Sequence, residues 1–167
     1  MTETAPSPEP LFQLSTGYWA FKTLATAYEL QLFARLSGTP GMTFQEFAER
    51  WEIDERPARM LLTGCASLGL LEKTGDRYHN SPLAEEYLVP GKPHHFGGLI
   101  VMLDRRLYTA WGRLTEAVRT NRPVTWDTDR EKSLFESQNP DVADTFWEAM
   151  HTLSCGQRQL PVLRLKL

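Results

Sequence analysis

Two adjacent histidines, His94 and His95, are the first residues whose types could do chemistry, since imidazoles bind metals and carry protons near neutral pH. Neighbours on a helix project in different directions, and no Asp, Glu or Cys follows four residues on. The pair is therefore expected on the surface near a helix start, beside Lys92, with no metal. Asp104 with Arg105 and Arg106, and Glu148 with His151, are the later polar clusters. Glu148 and His151 lie three apart and could touch on a helix, but acid–base work needs a dry, convergent site, and they read as a solvated pair. Cys65 and Cys155 stand far apart, without metal-ligand spacing or a visible base, which suits a reduced, cytoplasmic setting. No catalytic residue and no metal ligand is assigned. Met102, Tyr108, Trp111, Phe146 and Met150 form an aromatic and thioether set on two late helices. Core packing is the plain reading of such a set.

The elements that must position these residues come from a chain of 167 residues, the size of one ordinary domain with a real core. It is 41% hydrophobic and 23% charged, ordinary for a globular protein, and its net charge of -3 makes the whole chain no magnet for nucleic acid or anionic membrane. No run is long enough to span a membrane, and the acidic, Pro-rich start does not read as a signal peptide. Residues 1–10 read as a flexible arm.

From Leu11 a helical period begins. Leu14, Tyr18, Phe21, Ala25, Tyr28 and Leu32 make one stripe, and Leu11, Trp19, Leu24, Leu30 and Phe33 make a second. A helix apolar on two fronts needs two partners, and in a small domain the second is often another subunit. Thr43 with Glu46 is a capping-box signature, and Asp54 with Pro57 opens another helix that Gly69 ends. Residues 70–80 read as strand, turn, strand, so the order helix, helix, hairpin is that of a winged helix-turn-helix. After a short helix from Ser81-Pro82, a long one is expected from about Pro93, with Phe96, Leu99, Leu103, Leu107, Leu114 and Val118 in period. Asn139-Pro140-Asp141 opens the last helix. The fold class is mainly α, with long N-terminal and C-terminal helices and a small two-stranded wing.

Four stretches in order carry a resemblance: residues 11–36 with the core AYELQLF, the segments 44–51 and 56–89, the helix 97–124 with its Trp111, and 134–154 with FWEAM. The chain resembles the N-terminal dimerisation region of S-adenosylmethionine-dependent small-molecule O-methyltransferases, of the caffeate, acetylserotonin, hydroxyneurosporene and bacterial natural-product tailoring kinds. The resemblance covers 11–154 and implies a homodimer, or pairing with a full-length methyltransferase. It implies that the first helix meets the partner through Leu14, Tyr18, Trp19, Phe21, Ala25 and Tyr28, with Leu30 and Phe33 holding it to its own domain. It also implies that Met102, Leu103, Tyr108, Trp111, Phe146 and Met150 wall a pocket for a small aromatic molecule. In the family a cofactor-binding domain follows. Here 155–167 reads as a short basic tail, with no glycine-rich strand–loop–helix. The expectation is a truncated or stand-alone domain with no cofactor of its own and no methyl transfer by itself, S-adenosylmethionine entering only if a catalytic domain is supplied elsewhere.

Two other functions stay open. A winged-helix regulator would need positive charge on its recognition helix, where only Arg56 and Arg59 stand, behind Asp54 and Glu55. On the wing, Lys73 and Arg77 are offset by Glu72 and Asp76, so nucleic acid is not the expected partner. A small-molecule binder using the late-helix pocket is the third reading.

Overall fold

The computed structural model describes residues 6–126 together with Trp147, Ala149 and Met150. The expectations placed on Phe146, Glu148, His151, Cys155 and the 155–167 tail lie outside the described residues.

Helix α1 spans Glu9–Glu29, beginning inside the stretch expected to be an arm, with Pro10 in its first turn, where a missing N–H costs little. It does not run on to Leu36. Leu30 ends it, Gln31 adopts a left-handed backbone (φ 57), and α2, Leu32–Leu36, sets off in a new direction. The Leu30 carbonyl freed by this break accepts from Trp51 Nε1 at 2.7 Å. A bend with neither glycine nor proline is thus stabilised by a side chain 21 residues away in sequence.

Helix α3, Phe44–Trp51, starts in the expected capping box: the Thr43 hydroxyl accepts from the Glu46 N–H, and the Glu46 carboxylate accepts from the Thr43 N–H. Helix α4, Glu55–Ser67, has Asp54 at the N-cap position, although its side chain makes no capping bond. Strands β1, Leu71–Thr74, and β2, Arg77–Asn80, pair antiparallel from Leu71↔Asn80 to Thr74↔Arg77 around Gly75, whose φ of +62 the turn requires. Met42 adds one bridge on the far side of Tyr78. The molecule is mainly helical, with α3, α4 and the hairpin in winged-helix order.

Helix α5, Pro82–Tyr87, is capped by Ser81, whose hydroxyl accepts from the Ala84 N–H. The next segment departs from expectation. Residues 93–94 are turn and 95–96 irregular rather than helix, and α6 begins only at Gly97, running Gly97–Met102. Leu103–Tyr108 is wound as a π-helix, followed by α7, Thr109–Trp111, a break at Gly112, and α8, Leu114–Thr120. The expected single long helix is four segments.

The core gathers the C-terminal end of α1 with α2, α3, α4, the hairpin and α6. Phe33, Phe47, Leu32, Leu62, Ile100 and Cys65 are its largest fully buried side chains. At roughly 1.5–3 kcal/mol for each large apolar side chain buried, this cluster is what holds the wing to the helices.

Candidate functional site

The long first helix divides at Ala20. Toward its C-terminus, Ala25 and Ala27 are buried and Phe21, Leu24 and Tyr28 pack against the core. Toward its N-terminus the described residues cover little of it: Leu14 is 80%, Trp19 61% and Tyr18 51% exposed, with Leu11 and Phe12 similarly bare. Tyr18 and Trp19 meet edge to face, centroids 5.6 Å apart, and so form one aromatic surface. Of the six residues expected at a subunit contact, Leu14, Tyr18 and Trp19 therefore point outward. Phe21, Ala25 and Tyr28 already have partners within the chain. Phe21 stacks on Tyr108 at 5.8 Å, and the Tyr28 hydroxyl hydrogen-bonds His95 Nε2 at 2.9 Å. Leu30 packs on the core and Phe33 is fully buried, whereas Leu11 and Trp19 of the same stripe are exposed and Leu32 of the other is fully buried.

Beside this helix lie α6 and the π-wound segment, running antiparallel to it. Lys22 Nζ stands 2.6 Å from Asp104 Oδ1 and 5.3 Å from the centre of the Tyr108 ring. Met102, Leu103 and Tyr108 are half-buried, Trp111 is exposed, and Met150 is half-buried. A cleft of ≈ 300 Å³ opens between the elements, with Phe33 and Ile100 in its floor and Tyr28, Glu29, Asp104 and Arg105 at its sides. That is the lower end of the size range of small-molecule sites, about 300–1,000 Å³. Asp104 and Arg105 line it, but of the expected pocket wall it includes none.

The histidine pair departs from its expected setting. His94 is exposed and its Nδ1 pairs with Glu86 at 2.7 Å, but His95 is half-buried against Tyr28. Gly97 permits this: a Cβ there would overlap the Tyr28 hydroxyl. Sequence reading also missed a polar hub at Glu85. Its carboxylate accepts from Ser37 Oγ at 2.6 Å and Asn80 Nδ2 at 2.8 Å, with Lys92 Nζ at 3.4 Å. These donors hold its carboxyl below the usual range, Asn80 foremost. The only signal was Asn80 five residues before a glutamate. Burial pushes the Cys65 thiol up to about 12, which leaves it an inert core group. Among the described residues, no three His, Cys, Asp or Glu side chains are grouped to hold a metal. No described helix is long and apolar enough to cross a membrane.

The winged-helix surface offers little to phosphate. Arg59 lies over the Phe44 ring at 4.3 Å, and Arg77 Nη2 donates to Glu46 Oε2 and to the Gly41 carbonyl, both at 2.9 Å. Met60, the next residue of α4, stands exposed.

Comparison with known proteins identifies the domain. Residues 12–90 match the O-methyltransferase dimerisation domain. The chain carries that domain. It is 42% identical over 147 residues to 3-hydroxy-5-methyl-1-naphthoate 3-O-methyltransferase of Streptomyces sahachiroi, covering 88% of this chain and 42% of that protein. It is 41% identical over 151 residues to the tetracenomycin polyketide synthesis 8-O-methyl transferase TcmO of Streptomyces glaucescens, covering 89% of this chain and 43% of that protein. The chain thus spans less than half the length of these relatives. Among solved structures it resembles an O-methyltransferase family protein from Burkholderia thailandensis, with TM-score 0.75 and 30% identity over 92% of this chain and 44% of that one. It shares its fold with human N-acetylserotonin methyltransferase in complex with SAM, with TM-score 0.78 and 23% identity over 95% of this chain and 49% of that one. The dimerisation domain matched at 12–90 runs from Phe12 in α1 through α5, so most of the bare apolar half of α1, though not Leu11, lies inside it.

Proposed function

We propose that this chain homodimerises through the N-terminal half of α1, as the dimerising part of a cytoplasmic, S-adenosylmethionine-dependent O-methyltransferase of aromatic natural products. The observation that carries the proposal is the apolar face of Leu14, Tyr18 and Trp19, bare on a helix whose other end is anchored in the core. Contiguous apolar surface of this kind marks an interaction site, and obligate dimers bury roughly 2,000–5,000 Å² in such contacts. The aromatic acceptor is supported by the two Streptomyces relatives, a naphthoate and a tetracenomycin methyltransferase by name. On this reading Met102, Leu103, Tyr108, Trp111, Phe146 and Met150 contribute one wall of the acceptor pocket. Methyl transfer then needs a cofactor-binding part that these residues do not themselves form.

Light scattering coupled to gel filtration tests the dimer. Wild-type chain at tens of micromolar should run as a dimer, and Trp19→Asp, which places a charge in a dry contact, should run as a monomer or aggregate. A wild-type monomer with no tendency to aggregate would overturn the proposal.

A further inference from the structure

The π-wound segment asks for a cause. Six residues, Leu103–Tyr108, carry it, with α-helix on either side. Such winding is rare beyond a single turn, because its hydrogen bonds span five residues and are weaker than those of an α-helix. The sequence LDRRLY contains no glycine or proline to impose it. The constraint therefore acts from outside the segment, and α1 supplies it mainly with two adjacent residues, Glu29 adding an exposed pair with Arg105 at 3.8 Å. Lys22 holds Asp104 at 2.6 Å, near the start of the winding, and the Asp104 side chain is only 16% exposed. Phe21 stacks on Tyr108, its last residue, and the Lys22 ammonium lies over the same ring. Both ends of the π-wound segment are gripped by one turn of α1.

The grip has a consequence downstream. One extra residue in the turn rotates everything beyond it by about 100° relative to a continuous α-helix. Trp111, three residues beyond the segment and before the break at Gly112, is 60% exposed.

We propose that Lys22 and Asp104 are a positioning pair that holds the π register and so sets the direction in which Trp111 faces. The importance of that direction for an acceptor rests on the proposed function, in which Tyr108 and Trp111 belong to the pocket wall. The register itself does not.

Residue-resolved hydrogen exchange on the full chain is the test, with light scattering run on the same samples so that loss of the dimer is seen separately. Lys22→Met and Asp104→Asn should each speed exchange of amides 104–111 by about fivefold, the factor for a partly exposed ion pair, while the hairpin at 71–80 is unchanged. Lys22→Arg should keep wild-type protection. Deleting the exposed Arg105 removes the extra residue and returns the segment to an α-helix that needs no grip. In that background Lys22→Met should leave exchange at 104–111 unaltered. Unchanged exchange in the single variants, or equal sensitivity in the deletion background, would overturn the proposal even if the chain dimerises as proposed. Should the chain prove monomeric while the exchange pattern holds, the positioning pair stands and the functional reading falls.

Discussion

At Gly97 one missing methyl group decides a contact. The residue is buried, and an added Cβ would overlap both the Tyr28 phenol and the His95 ring. Gly97→Ala should therefore destabilise the chain by about 1–3 kcal/mol, the usual range for overpacking, as measured by urea denaturation. In a Tyr28→Ala background the same change should cost less, because the nearest clashing group is gone and only the His95 ring still has to move. Equal costs in both backgrounds would mean that the phenol is not what occupies the space. Glu85 gives a second prediction, in pH. Its carboxyl lies below the usual range because Asn80, Ser37 and Lys92 favour the charged form. A depressed folded-state value contributes stability that is present above the ordinary glutamate pKa of about 4.3 and is lost as pH falls through the folded value. The melting temperature should thus fall on acidification below about pH 4.3, and Glu85→Gln should make that limb shallower while lowering the plateau. Glu46 and Glu116 are depressed as well, so the limb should be reduced rather than abolished. An identical limb in the variant would remove Glu85 as its source.

At the level of elements, what could be read in advance was what local chemistry dictates. The Thr43–Glu46 box, Pro57 in the first turn of α4, Gly75 in the hairpin and Ser81 before α5 each fix a boundary from within a few residues. What could not be read was set by distant contacts. The bend at Gln31 depends on Trp51 reaching the Leu30 carbonyl, and the π winding coincides with contacts from Phe21 and Lys22. His95 is half-buried because α1 brings Tyr28 to it, not because of its own neighbours in sequence. For α1, two apolar stripes were legible, but not that they would sort along its length, with the core taking the C-terminal end. That sorting makes a prediction about association. Leu14 is 80% exposed, so Leu14→Asp removes nothing from the fold of one chain. For a dimer, the melting temperature should rise with protein concentration by mass action, and Leu14→Asp should abolish that rise. A wild-type melting temperature independent of concentration would count against pairing through this helix.

At the scale of the whole molecule, the order α3, α4, hairpin raises the question of DNA, and the charge distribution answers it. A winged helix that reads a duplex presents cations along its second helix and wing, where each phosphate contact releases counterions. Here α4 offers Arg56 and Arg59, with Glu55 at its start, and Arg59 is drawn onto Phe44. The exposed Met60 follows directly, where a base-reading face would carry polar groups. On the wing, Arg77 is bound to Glu46 and to the Gly41 carbonyl, and Lys73 lies over Tyr78 at 5.3 Å. With a net charge of -3 there is no compensating long-range field. Duplex DNA should therefore bind no better than the weak end of ordinary non-specific affinity, about 10⁻⁴ M at physiological salt. Fluorescence anisotropy with a labelled duplex, titrated from low salt upward, measures this directly. The expected result is weak binding at low salt that disappears well before physiological ionic strength, with no preference among sequences. A saturable, sequence-selective complex at nanomolar protein would mean that Arg56 and Arg59 suffice after all, and that the helix-turn-helix has kept a regulatory use rather than serving as the packed base on which α1 is mounted.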